Sequence, residues 1–200
     1  MMRISARLKG MGIGGLFLAL FGGLWMLAAL DASSLIWIVT CVLLPTSLLV
    51  VWAIGLLLAS AQARTLEPPP RPEEQVQARR IGRRFGIVFM IEFALIALTA
   101  NVLGALGRMD WLMFAIALIV GVHFLPLARI FDYRLYYWTG GVEIGVALLI
   151  AALLRHHLAA ADPLFGLAMA MSLWITVIVV LLHGRRLAAA VRAAAPATPA

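Results

Sequence analysis

Residues 118–141, LIVGVHFLPLARIFDYRLYYWTGG, decide how the rest of the sequence is interpreted. An apolar run that carries His123 gives way to a turn with the charged residues Arg129 and Asp132, and a second apolar run begins at Gly140. Two apolar segments joined by a short charged turn are typical of neighbouring membrane-spanning helices. The stretch therefore predicts two transmembrane helices, the fourth and the fifth of this chain.

The composition of the 200 residues extends this interpretation to the whole chain. Hydrophobic residues make up 64% of the sequence and charged residues 12%, with a mean hydropathy of +1.03, whereas a soluble domain is about 45–50% apolar. Strands and loops cannot face lipid because their backbone groups would lack hydrogen bonds, so the spanning elements are helices. We predict an all-α, polytopic membrane protein whose main partner is the lipid bilayer.

The net charge of +7 does not indicate a protein that binds nucleic acid. The basic residues lie at the edges of the apolar runs, where the orientation of helices in a membrane already explains them. We therefore predict no nucleic acid among the partners.

Six apolar runs predict one compact six-helix bundle over residues 11–192, preceded by a cytoplasmic N-terminus at 1–10 and followed by a disordered tail at 193–200. The six helices are expected at about residues 11–30, 35–59, 85–105, 111–128, 140–155 and 163–183.

Residues 60–84 are expected to form a cytoplasmic loop rich in proline and arginine. Within it, Pro72 followed by two glutamates predicts the start of a helix that runs on into the membrane. Pro45 is expected to kink the second helix.

The distribution of basic residues predicts the orientation of the chain. With six helices, 14 of the 16 Lys and Arg residues fall on one side of the membrane and only Arg108 and Arg155 on the other. Basic residues accumulate on the cytoplasmic side, so both termini are expected in the cytoplasm. All basic residues except Lys9 are arginine, which points to a GC-rich bacterial genome and hence to the bacterial inner membrane.

Glu92 and His123 are ionisable residues inside apolar runs, where an unpaired charge is costly. At about 1.5 Å per residue, both lie on the order of 10 Å from the cytoplasmic ends of their helices. We expect them to meet in a polar cavity that opens to the cytoplasm. Pro126 is expected to bend the helix beside His123, and Thr99 falls almost in line with Glu92. The pair is either a proton relay or solute site, or a structural hydrogen bond between two helices.

Glu143, Arg129 and Asp132 are expected at the cytoplasmic mouth of this cavity. The position of Gly140 places Glu143 in the first turn of the fifth helix, where an acid reaches water and is stabilised by the helix dipole. Either the three charged residues form an ion-paired cluster at a substrate mouth, or residues 127–138 form an interfacial helix with an aromatic belt.

The sequence predicts no metal site and no cofactor. The adjacent His156 and His157 point about 100° apart on a helix, and beyond Asp162 no further ligand has a recognisable spacing. Cys41 is the single cysteine, so no disulfide within the chain is possible. No glycine-rich phosphate loop, G-x-S-x-G or H-E-x-x-H motif is present.

The segment GVHFLPLARIFDYRLYYWTGG, residues 121–141, resembles a segment of small uncharacterised bacterial multi-pass membrane proteins. This resemblance groups His123, Pro126 and Arg129 into one unit and implies no particular activity.

The leading functional prediction is non-enzymatic: small-solute or proton-linked transport, or an accessory subunit of a larger membrane complex. A homo-oligomer is expected if so thin a bundle conducts a solute. One alternative is an intramembrane enzyme for a lipid-like substrate, with His123 and Glu92 as acid and base and Arg129 holding an anionic headgroup. The other alternative is a purely structural bundle.

These three functions differ in what they require of the fold. An enzyme needs a lipid-accessible cleft beside Glu92 and His123. A transporter needs polar groups that continue to the outer side, and a structural bundle needs every polar group to be paired.

Overall fold

A computed structural model describes residues 3–30, 35–154 and 161–194, and all regular elements in these ranges are helices. Six of them are long and apolar enough to cross a membrane, which confirms the predicted all-α fold with six helices of membrane-spanning length. The helices are α1 (Ile4–Ala29), α2 (Leu35–Leu66), α3 (Pro72–Ala105), α4 (Leu112–Phe131), α5 (Leu135–Leu154) and α6 (Asp162–Ala194).

The helices are longer than the apolar runs from which they were predicted. The loop expected at 60–84 is reduced to 67–71, because α2 and α3 continue as helices beyond their apolar segments. Pro72 lies in the first turn of α3 with two glutamates beside it, as predicted for a helix start. Likewise α1 begins inside the expected N-terminal segment, and α6 enters the expected tail, of which 195–200 lie outside the described residues.

The predicted kink at Pro45 coincides with a change in helix type. Residues Ile38–Leu43 are wound as a π-helix, and Pro45 lies in the first turn of the α-helical part that follows. Proline has no N–H and so removes one backbone hydrogen bond of the helix. In the π-helical segment just before it, the backbone hydrogen bonds span five residues in place of four.

Antiparallel packing of α1 against α6 forms the centre of the bundle. A Cβ added at Gly22 would lie 2.5 Å from the Trp174 ring, and one added at Gly166 would lie 2.6 Å from the Trp25 carbonyl oxygen. The Trp174 Nε1–H donates to the Ala19 carbonyl oxygen at 3.3 Å. Small residues thus let the two backbones approach closely, which is how helices associate in lipid.

A second close pair is formed by α4 and α5, and α3 lies outside it. A Cβ at Gly140 would lie 2.5 Å from the Gly121 carbonyl oxygen, so these glycines bring the two helices into contact. Helix α3 is described over its whole length, and Glu92 is its only buried residue. The bundle therefore buries a carboxyl group where a peripheral helix would ordinarily bury an apolar side chain.

One end of the bundle is tied together by polar contacts of the N-terminus. The Arg3 guanidinium donates to Glu74 Oε2 at 2.6 Å and to the carbonyl oxygens of Pro68 and Pro69. The Ser5 hydroxyl and backbone N–H donate to the Glu67 carboxylate. The N-terminus and the α2–α3 loop therefore lie at the same end of the bundle.

Candidate functional site

Glu92 of α3 and His123 of α4 meet inside the bundle. Nδ1 of His123 lies 3.5 Å from Oε1 of Glu92, and the two side chains are only 10% and 7% exposed, respectively. The two residues that were expected to meet at this depth therefore lie in contact.

The hydrogen bond of the imidazole indicates its tautomer. Nδ1 of His123 also lies 2.7 Å from the carbonyl oxygen of Val120. A carbonyl oxygen can only accept, so we assign the hydrogen to Nδ1, which leaves Nε2 to accept a proton. Glu92 Oε1 is a second acceptor beside the same N–H and would compensate the charge of an imidazolium.

Glu143 belongs to this interior site and not to its mouth, so the position predicted for it is wrong. Helix α5 begins at Leu135, eight residues before Glu143, so the carboxyl group lies about 12 Å along the helix. The residue is 0% exposed. The prediction was wrong because the two glycines at 140 and 141 were interpreted as the start of the fifth helix, whereas Gly140 lies inside α5.

Neither carboxyl oxygen of Glu143 has a hydrogen-bond partner among the described residues. The Ser172 hydroxyl of α6 lies near this carboxyl group, and the Glu92 carboxyl lies within electrostatic range. A buried carboxylate without partners costs several kcal/mol. The neutral, protonated form of Glu143 is therefore favoured in this structure.

Two threonines extend the polar group towards α6. The hydroxyl oxygens of Thr139 and Thr176 lie 2.8 Å apart, and each hydroxyl also lies within hydrogen-bond distance of the carbonyl oxygen four residues earlier in its own helix. Thr139 and Glu143 are four residues apart on α5, as are Ser172 and Thr176 on α6. Because residues at this spacing share a helix face, these four side chains form a ladder between the two helices.

This ladder was missed at the sequence level, although its signal was present. Neither Thr139 nor Thr176 is among the residues predicted from the sequence. The spacing i, i+4 of two polar residues in each apolar run would have selected one common face on α5 and on α6.

Aromatic rings surround the polar group on the side of α1 and α3. The ring of Phe89 lies 5.9 Å from the His123 ring and that of Phe124 4.6 Å from it. Rings of α1 reach across to α3, where Phe17 and Phe21 lie 5.7 and 6.4 Å from Phe89. The rings keep the carboxyl and imidazole groups in apolar surroundings.

The remaining predicted site residues do not join this group. Arg129 and Asp132 are exposed, and among the described residues neither forms an ion pair, so the predicted cluster with Glu143 is absent there. Thr99 is half-buried two turns beyond Glu92. Helix α4 continues through Pro126 to Phe131.

Residues 127–138 do not form the single interfacial helix that was expected as one alternative. Asp132 has a φ of 50° and ends α4, and α5 begins three residues later at Leu135. Aspartate tolerates this left-handed conformation better than most residues do. In the turn, burial raises the pKa of Tyr133, and the nearby Arg7 partly opposes that effect.

Comparisons with protein-family models, curated proteins and solved structures find no match for this chain. The resemblance drawn from residues 121–141 therefore stays a prediction. Within the described ranges, no three His, Cys, Asp or Glu residues are arranged to hold a metal ion; His156 and His157 lie outside those ranges.

Proposed function

We propose that this chain is a proton-linked transport protein of the bacterial inner membrane that moves a small solute. In this proposal Glu143 carries an exchangeable proton, and Glu92 with His123 passes protons between Glu143 and the cytoplasmic side. Solute binding would be coupled to the protonation of these groups.

The observation that carries the proposal is the fully buried carboxyl group of Glu143, whose oxygens have no hydrogen-bond partner among the described residues. A residue kept only for packing would be apolar or would have its oxygens bonded, because an unsatisfied polar group in hydrocarbon is costly. A carboxyl group that must be neutral to stay buried is suited to take up and release a proton. The purely structural function is disfavoured for the same reason.

The depth of the group favours exchange with one side. His123 lies eight residues from the end of α4, and Glu143 lies eight residues from the start of α5, which places both about 12 Å from the α4–α5 turn. Towards the other side, Asn101 and Thr40 are exposed and bond to carbonyl oxygens of their own helices. A transport cycle would therefore need a second conformation to open the outer side.

The enzymatic alternative has less support. Glu92 and His123 are 7% and 10% exposed, and aromatic rings cover them, so a lipid-like substrate has no evident access. Arg129, the group expected to hold a headgroup, does not lie with them.

The proposed orientation has both termini in the cytoplasm. It rests on the basic residues, of which 14 of 16 fall on the side that holds the N-terminus, the α2–α3 loop and the α4–α5 turn. The contact of Arg3 with Glu74 is consistent with this arrangement, because both residues then belong to one side.

Infrared spectroscopy of the purified chain in lipid directly tests whether Glu143 is protonated. We expect a carboxyl C=O band of a protonated acid at neutral pH that shifts in D₂O and disappears in Glu143→Gln. In proteoliposomes with an entrapped pH-sensitive dye, we expect proton uptake driven by a membrane potential to fall at least tenfold in Glu143→Gln and Glu92→Gln.

The matched control is Glu73→Gln, which makes the same chemical change at an exposed carboxyl group. It should leave both the infrared band and proton uptake unchanged. The proposal fails if Glu143→Gln elutes and melts like the wild type but retains the band and the proton uptake.

A further inference from the structure

Four arginines form a continuous basic face on the first part of α3. They are all exposed, and none of them forms an ion pair among the described residues. The acidic side chain nearest in sequence, Glu74, is already bonded to Arg3. The members of this basic face are Arg79, Arg80, Arg83 and Arg84.

The basic face points away from the rest of the bundle. At about 100° per residue, the four arginines lie within an arc of about 140°, and Glu92 lies about 150° from the centre of that arc. Because Glu92 is the buried residue of α3, its direction marks the side that faces the bundle. The arginines are therefore directed at what surrounds the protein.

An exposed apolar strip continues the basic face into the bilayer. Ile87, Met90 and Ile91 fall within the same arc on α3. Their side chains are 47%, 74% and 54% exposed, respectively. One helix face thus offers cationic groups followed by exposed apolar side chains.

The level of the basic face corresponds to the edge of the membrane. Arg84 lies eight residues before Glu92, which is about 12 Å along the helix. The ring of Phe85, the next residue, lies 5.7 Å from that of Phe131, the last residue of α4. The arginines therefore lie where the apolar spans end and lipid headgroups begin.

We propose that this face of α3 is a binding site for an anionic phospholipid. Arg83 and Arg84 hold the phosphate, to which a guanidinium donates in a bidentate manner, and Arg79 and Arg80 add to the attraction from the next turn. The acyl chains lie along Ile87, Met90 and Ile91. A nucleic acid or an acidic soluble protein would satisfy the arginines alone, whereas a lipid also covers the apolar strip.

The test compares lipid binding by the purified full-length chain and its variants, measured by native mass spectrometry in detergent. We expect the wild type to retain phosphatidylglycerol in preference to phosphatidylcholine. The double variant Arg83→Gln/Arg84→Gln should bind phosphatidylglycerol roughly thirtyfold more weakly, because each arginine near a headgroup contributes about 1 kcal/mol. Arg83→Lys/Arg84→Lys keeps the charge and should keep most of the binding.

Arg64→Gln/Arg71→Gln is the matched control, since it removes two exposed arginines that lie off this face. It should bind phosphatidylglycerol like the wild type. Should the Arg83/Arg84 variant misfold, Arg79→Gln/Arg80→Gln takes its place with a smaller expected loss.

Several results would overturn the proposal. They are equal binding of both lipids, an equal loss in the control pair, displacement of phosphatidylglycerol by inorganic phosphate, or tighter binding of a single-stranded oligonucleotide than of the lipid.

Discussion

Nδ1 of His123 lies 3.5 Å from Oε1 of Glu92, and this contact joins a peripheral helix to the bundle through polar atoms. Helix α3 buries no other residue along its described length, so its apolar contacts with α4 and α1 are made by partly exposed side chains. Polar contacts between helices fix their relative rotation more strictly than apolar ones do, because a hydrogen bond weakens steeply when its distance or angle changes. The Glu92–His123 contact therefore has a structural role as well as the proposed one in proton transfer.

A double-mutant cycle on Glu92 and His123 measures this structural role. We expect Glu92→Ala and His123→Ala together to destabilise the protein by about 0.5–2 kcal/mol less than the sum of the single changes. The measurement is the free energy of unfolding in mixed detergent. Asn101→Ala with His123→Ala serves as the control cycle, because Asn101 is exposed and bonds only within α3. Additive effects at Glu92 and His123 would show that the two groups are not coupled.

The approach of Glu92 to His123 was predictable because the two residues lie at the same depth on adjacent helices. Arginines mark where each apolar run ends, and a constant rise per residue then places side chains of neighbouring helices at the same level. The position of Glu143 was predicted wrongly because a glycine such as Gly140 can occur either at a helix end or at a close contact between helices. In water a glycine pair often ends or begins a helix, whereas here Gly140 packs against Gly121 inside α5.

The pairing of α1 with α6 was not predictable from local patterns. Their residues are about as far apart in sequence as the chain allows, and both helices are apolar on all sides, so no periodic stripe marks the contact face. The contact surface is recognised only once Gly22 is seen against Trp174.

Cysteine labelling in intact cells tests the proposed orientation. In a Cys41→Ala background, a membrane-impermeant maleimide should label Asp110→Cys and should not label Thr65→Cys. Asp110 lies between α3 and α4, whereas Thr65 lies at the end of α2 beside the α2–α3 loop, on the opposite side. Both parent residues are exposed, so access to the reagent depends on the side of the membrane and not on burial. Both variants should react in permeabilised cells. Labelling of Thr65→Cys alone in intact cells would reverse the orientation.

Arg3→Ala should loosen the α2–α3 loop and leave the membrane core intact. Arg3 donates to the carbonyl oxygens of Pro68 and Pro69 and to the Glu74 carboxylate, so its loss frees three acceptors at once. We expect amide hydrogen exchange in residues 71–76 to accelerate several-fold because the first turn of α3 loses a support. Exchange in the middle of α3 should not change. Lys9→Ala, at an exposed residue of α1, is the control, and equal acceleration in that variant would refute a specific role of Arg3.

Gly166→Ala should separate α1 from α6. The added Cβ would lie 2.6 Å from the Trp25 carbonyl oxygen and 2.7 Å from the Ala29 backbone nitrogen. Because these are backbone atoms, the clash cannot be relieved by a side-chain rotation, and we expect a loss of about 1–3 kcal/mol in the free energy of unfolding. Gly145→Ala makes the same change on α5, where no heavy atom lies within 4 Å of the new Cβ. There the helix propensity of alanine should stabilise the protein by up to about 1 kcal/mol. Similar thermal unfolding of the two variants would mean that the α1–α6 contact is looser than the structure shows.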